Sequence, residues 1–172
     1  VYQSGNTQFV AHALENAIGT SLSSYLEERI WQPLQMESPA HWSTDEQGVE
    51  KAYCCVYATA HDFAKIGQLM LHQGSWHGQQ LLDSSYVQDC FSAPAHTRSN
   101  EPDYSLFWWM ETINNDKVIY ARGILGQYII LIPDKNLILV RLGHKRDVKN
   151  EKQHTLDLYH YVHLAQMIDS SL

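Results

Sequence analysis

Two short patterns in this chain combine residue types able to move a proton or to meet a developing negative charge. One is Tyr2-Gln3-Ser4, set directly ahead of Gly5-Asn6-Thr7-Gln8-Phe9-Val10 in a stretch that ends at Ile18-Gly19. The other is Tyr120-Ala121-Arg122-Gly123-Ile124-Leu125-Gly126-Gln127-Tyr128, a glycine-bounded turn between two apolar stretches. Read alone, Tyr2 is a turn or packing tyrosine, Arg122 a surface or ion-paired residue, and Ile124 a buried strand end. No serine stands three residues before a lysine: Gly48, Asp62 and Ile132 precede Lys51, Lys65 and Lys135, for example, so a Ser-x-x-Lys nucleophile is missing. Cys54 and Cys55 have no neighbouring His-Asn or basic pattern to create a thiolate. Three cysteines cannot all pair, and adjacent ones bridge only with strain, which argues against a disulfide framework. His160 and His163 stand one helical turn apart, but two ligands are too few for a metal site and no zinc-finger spacing occurs. We therefore expect neither metal nor cofactor.

Positioning these groups falls to elements that the spacing predicts. Apolar residues Phe9, Val10, Ala13, Leu14, Ala17 and Ile18 recur at helical intervals after Ser4, and Gly19 is a natural stop. Thr20 and Ser21 open a second helix through Leu22, Tyr25, Leu26 and Ile30, closed by Pro33. Residues 37–57 lose periodicity and form an irregular connection, the kind of segment in which function often lies. Thr59-Ala60-His61-Asp62 has capping-box form and opens a helix that turns Phe63, Ile66, Leu69 and Met70 inward before Gly74. A shorter helix follows Asp83, using Tyr86, Val87 and Cys90.

Beyond residue 103 the period changes. Stretches 104–112, 118–122, 127–132 and 136–142 are rich in Ile, Val, Leu and aromatic residues, with short turns between them. Such close spacing predicts an antiparallel meander, since parallel strands need longer crossovers. A helix over 153–168 offers Leu156, Tyr159, Val162, Leu164 and Met167 to cover the sheet. Tyr104, Phe107, Trp108 and Trp109 form a strand packed on helices, with only their tips able to shape a pocket.

Composition bounds the partners. The 172 residues carry 12 Lys+Arg and 19 Asp+Glu, a formal charge of −7, which excludes a nucleic-acid role. A hydrophobic share of 44% with 18% charged residues is that of a globular chain, and the length suits one domain or a large piece of a bigger one. No run approaches the roughly eighteen apolar residues of a transmembrane segment.

The ordered set of motifs resembles the serine β-lactamase and penicillin-recognising hydrolase superfamily, in its class C and esterase branch, and among its members the 6-aminohexanoate-dimer hydrolases. The marks are the Tyr-x-Ser turn, the segment from Leu26-Glu27-Glu28-Arg29 to Gln35-Met36, the segment Ala58-Thr59-Ala60-His61-Asp62-Phe63, the 123–126 turn and the strand over 137–143. The resemblance implies an α+β fold with an antiparallel sheet flanked by helices. Residues 1–172 would be the C-terminal portion of one such domain, mainly helical over 1–102 and strands with a final helix over 103–172. It implies that Tyr2 exchanges protons with a nucleophilic serine. A phenol of pKa near 10 needs positive charge beside it for that work, which family members supply from the Ser-x-x-Lys lysine.

Ser4 stands where asparagine is common, and Ala121-Arg122-Gly123 stands where a basic residue opens a Lys-Thr-Gly or His-Thr-Gly strand. Ile124 matches a backbone oxyanion donor, Gly123 and Arg122 its neighbours in the substrate wall, and Cys54 and Cys55 small residues beside the pocket. Arg122 replaces the basic side chain of that wall only if it escapes the alternation that sends neighbouring strand residues to opposite faces. The expected whole is a serine hydrolase cleaving a small-molecule amide or ester through an acyl-enzyme, with its nucleophile in a missing N-terminal portion of the same protein. The 172 residues alone are then expected to be inactive. Two alternatives stay open: a non-catalytic binding or scaffold module, and a D-Ala-D-Ala carboxypeptidase or β-lactamase. The resemblance points to a periplasmic or membrane-attached protein, whereas unpaired Cys54 and Cys55 point to a reducing compartment.

Overall fold

A computed structural model describes residues 3–92, 103–145, 147–149 and 155–169. The chain divides into two compact units, Val1–Asp62 and Phe63–Leu172.

In the first unit, α1 (Ser4–Ile18) starts after Gln3 in extended conformation and stops at Gly19, whose φ of 73° lets its N–H return to the Glu15 carbonyl. Its predicted apolar stripe is largely exposed within the described residues: Phe9, Val10 and Leu14 face outward, and Ala11 is the buried position. Ser21 caps α2 (Leu22–Leu26), which runs into one π-helical turn over Glu27–Trp31. Pro33 has no N–H to continue the ladder, and the chain leaves the helix with Leu34 fully buried.

The irregular connection carries a minimal pairing of β1 (His41–Trp42) with β2 (Val56–Tyr57). Side chains rather than strands hold it. The Trp42 indole donates to the carbonyls of Lys51 and Cys54 at 3.1 and 3.0 Å, and Asp45 accepts from the N–H groups of Gln47 and Val49. Thr59 caps α3 (Ala60–Leu71), its hydroxyl accepting from the Asp62 N–H and donating to the Asp62 carboxylate. Asp62 also accepts from the Glu37 N–H at 2.7 Å, so the capping acid is spent on a distant loop as well as on its own helix.

The second unit is a five-stranded antiparallel meander: β5 (Asp103–Ser105), β6 (Trp108–Ile113), β7 (Asp116–Gly123), β8 (Gln127–Ile132) and β9 (Leu137–Arg141), adjacent in chain order. The predicted single stretch 104–112 is two strands. Leu106 and Phe107 take φ values of 42° and 74° and make a two-residue hairpin turn between Ser105 and Trp108. Such a turn commonly uses Asn or Gly, so apolar residues there leave no mark in the sequence. A small hairpin, β3 (Ser75–Trp76) with β4 (Gln79–Gln80), precedes α4 (Ser84–Cys90), which Asp83 caps.

Both sheet faces are covered, which is why residues 118–121 of β7 and 128–132 of β8 read as continuous apolar runs instead of alternating ones. One face holds Val118, Tyr120, Tyr128, Ile130 and Ile132 under Leu158, Val162 and Ala165 of α5 (Leu156–Asp169). On the other, Met110, Ile119 and Leu131 meet Met70 of α3 and Val87, Cys90 and Phe91 from α4 and its end. Gly67 lets α3 approach closely: a Cβ there would lie 3.0–3.2 Å from side-chain carbons of Ile138, Leu131 and Ile129.

The predicted covering set of α5 needs correction. Val162 is fully buried, but Leu156, Leu164 and Met167 are exposed, and Leu158 and Ala165 take their place. Apolar residues stand on several sides of this helix, so spacing alone does not select the inward stripe. The predicted first turn at 153 and 154 lies outside the described residues. No helix among the described residues is long and apolar enough to cross a membrane.

Candidate active site

Tyr2 lies outside the described residues. Ser4, next along, is exposed in the first turn of α1. One turn further, Gln8 uses both ends of its amide on the irregular connection, donating to the Glu50 carbonyl and accepting from the Ala52 N–H, each at 3.0 Å. Glu50 is almost fully buried and accepts from the Ser23 hydroxyl at 2.6 Å and the Ser23 N–H at 3.3 Å. Burial pushes its carboxyl up, but the Ser23 hydroxyl and backbone donors outweigh that and hold the pKa below the usual value. The helical pair and the loop of the first unit are thus locked at one point that sequence reading missed. A cleft of about 290 Å³ opens there, lined by Gln8, His12, Asp45, Gln47, Val49, Glu50, Lys51 and Tyr53. Ser4, Cys54 and Cys55 do not line it.

Cys54 and Cys55 are half-buried, and the expectation that they stay unpaired is overturned: they are joined by a disulfide, and Cys90 is a buried free thiol. The turn that brings them together is fixed from outside. Cys55 sits at φ 76°, its carbonyl accepts from the Ser43 N–H, and the Cys54 carbonyl accepts from the Trp42 indole. Sequence adjacency alone carries no sign of those supports.

In the second unit, Arg122, Gly123 and Ile124 run from the end of β7 into the turn before β8, with Gly123 paired to Gln127. Alternation along β7 separates the first two. Ala121 packs toward the α3 and α4 side and Gly123 shares its face, whereas Arg122 lies on the α5 side with Tyr120. There the Arg122 guanidinium sits 4.4 Å from the centroid of the Trp109 ring. Ile124 is 71% exposed, so its backbone placement is set by the strand end, not by side-chain burial. Leu125 and Gly126 follow at φ 60° and 80°.

Below this turn lies a polar cluster that the sequence did not single out. The buried Tyr128 hydroxyl donates to Asp157 at 2.9 Å and is hydrogen-bonded to the Thr155 hydroxyl. Burial pushes the Tyr128 phenol up to about 12, with the Thr155 hydroxyl opposing and Asp157 adding to the shift. Arg141, opposite Tyr128 across the β8–β9 pairing, places its guanidinium 3.9 Å from Asp157 and over the Tyr161 ring. Among the described residues no three metal-ligating side chains come together; His160 and His163 are exposed on α5.

Known proteins share this architecture. The chain is 24% identical over 178 residues to the 6-aminohexanoate-dimer hydrolase of Paenarthrobacter ureafaciens, covering 98% of this chain and 45% of that protein. A solved Bacillus anthracis structure, provisionally assigned as a 6-aminohexanoate-dimer hydrolase, aligns with a TM-score of 0.79 at 27% identity over 98% of this chain and 42% of the other. A Mycobacterium bovis β-lactamase structure shares the fold with a TM-score of 0.76 at 16% identity, over 100% of this chain and 65% of the other. The chain therefore spans less than half the length of the first two relatives. With an antiparallel meander covered by helices on both faces and a family model matched across residues 1–161, the chain belongs to the Beta-lactamase family.

Proposed function

We propose that the protein is a serine hydrolase that opens an amide or ester through an acyl-enzyme. The observation that carries the reading is the β7–β8 turn. It sets the Ile124 backbone amide at the end of two buried, mutually paired strands, in a chain of the Beta-lactamase family. A donor fixed before reaction stabilises a tetrahedral oxyanion without reorganising, and loss of one typically costs roughly 3–4 kcal/mol. In this reading serine attacks the carbonyl, the Ile124 N–H receives the oxyanion, and Tyr2 relays the proton toward the leaving group. Water then releases the acyl group. The serine and its lysine come from outside these 172 residues, in which no Ser-x-x-Lys occurs. Linear amides of the 6-aminohexanoate-dimer type, named in the relatives above, are the first substrates to try; a cyclic β-lactam fits less well because Ala121 is not basic.

The same missing motif supports a second reading, a binding module that keeps the fold without the chemistry. Fluorophosphonate treatment of the full-length protein, followed by peptide mapping, separates the two. A labelled serine upstream of Tyr2 supports the enzyme. A folded full-length protein that takes no label supports the binding module. Residues 1–172 alone should take no label in either case.

A further inference from the structure

We infer that Arg141 is the residue that positions the oxyanion-binding turn, an inference resting on the acyl-transfer reading of Ile124. Ile124 and Leu125 have exposed side chains, so packing does little to fix this turn. Leu125 nevertheless holds φ 60°, a left-handed conformation that an L-residue keeps only with outside support. Arg141 supplies it. Its Nη1 donates to the carbonyl of Gly126 and reaches that of Leu125 at 3.5 Å, while Nη2 donates to the Lys145 carbonyl at 3.0 Å. A planar fork with fixed N–H directions can hold several carbonyls at once, which an ammonium on a flexible stem does poorly.

The surroundings are built for that fork. A Cβ on Gly126 would lie 3.0 Å from Arg141 Cζ and closer to Nη1, and one on Gly143 would lie 2.7 Å from Nη2 and closer to the rest. Two glycines thus leave the space that the guanidinium fills. Asp157 faces it at 3.9 Å and the Tyr161 ring lies 5.2 Å from Cζ, so charge and plane are both held from α5. From the strand side, the Gln127 amide donates to the Gly143 carbonyl and accepts from the Gly143 N–H, closing the same clasp. The turn, the segment after β9 and the first turn of α5 are joined through one side chain.

The test uses the full-length protein with Arg141→Lys, Arg141→Gln and Gln127→Ala, followed by ester hydrolysis, melting and amide exchange at residues 124–126. Misplacement of a reacting group by about 1 Å is worth roughly 10²-fold, so Arg141→Gln should lower kcat about 10- to 100-fold with KM within about 2-fold. Exchange should accelerate at the turn and not across β7 and β8, and Arg141→Lys should recover little. Gln127→Ala, which spares Arg141, should show a smaller change of the same kind. Unchanged kcat and exchange in Arg141→Gln, or a loss spread over the whole sheet with a collapsed melting point, would overturn the inference. A wild-type protein that neither labels nor turns over ester would instead remove the acyl-transfer reading itself.

Discussion

The guanidinium of Arg122 lies over the Trp109 ring on the sheet face that α5 covers, one residue away from Ala121 on the opposite face. A cation over an aromatic face contributes about 0.5–1 kcal/mol at a partly exposed site. Arg122→Ala should therefore lower the unfolding free energy by that much, read as a lower urea midpoint at unchanged slope, with Arg122→Lys intermediate. For Arg122 to bind substrate the guanidinium must leave the ring. A rise in KM with no change of midpoint would show that it does, and would return Arg122 to the substrate wall.

What the sequence disclosed follows from the range of each interaction. The run 127–132 became β8 without adjustment because its apolar residues are buried on both faces. Thr59 and Asp62 were legible because a helix cap is made within one turn. Arg141 was not, since it is defined by carbonyls fifteen or sixteen residues away and by two glycines that read as ordinary turn residues. Gln8 was missed for the same reason, its partners lying 42 and 44 residues on. The Leu106-Phe107 turn failed differently, because its backbone requirement is met by residues that advertise a strand.

Gly67 offers a sharper test of how α3 meets the sheet. A glycine inside a helix costs about 1 kcal/mol against alanine, so it persists here for want of room. The nearest contacts of an added Cβ are a Leu131 Cδ2 methyl and the Cγ2 methyls of Ile129 and Ile138, which must give by a few tenths of an ångström, and that crowding offsets the roughly 1 kcal/mol gain in helix propensity. Gly67→Ala should thus be near neutral, while Gly67→Val, with two further methyl groups, should lose about 1–3 kcal/mol. Urea unfolding with an unchanged slope measures both. A valine variant as stable as wild type would mean that α3 stands off the strands.

The pairing of Cys54 with Cys55 leaves one thiol in the chain, and that one is buried. Native protein should react slowly with a thiol reagent. After unfolding without reductant one equivalent should appear for residues 1–172, and after reduction three. Three equivalents before reduction would show the two cysteines to be free. Burial raises the Cys90 pKa, so its reaction in the native state should stay slow even at mildly alkaline pH.

Glu50 ties pH to the first unit with a definite sign. Its folded pKa is lowered from a reference of 4.5, so the folded state favours the ionised carboxylate more than the unfolded chain does. Above the unfolded value that stabilisation is fully present. As pH falls below 4.5 the unfolded chain takes up its proton first, and the contribution declines until the folded carboxyl is protonated too. Ser23→Ala removes the 2.6 Å hydroxyl donor that opposes burial. It should cost about 1.5–3 kcal/mol at neutral pH, the range for a hydrogen bond to a charged group, and should flatten the acid limb of stability against pH. Glu50→Gln should remove Glu50's share of that limb. If the acid slope were the same in wild type and Ser23→Ala, the carboxylate at position 50 would not be the group that this serine holds ionised.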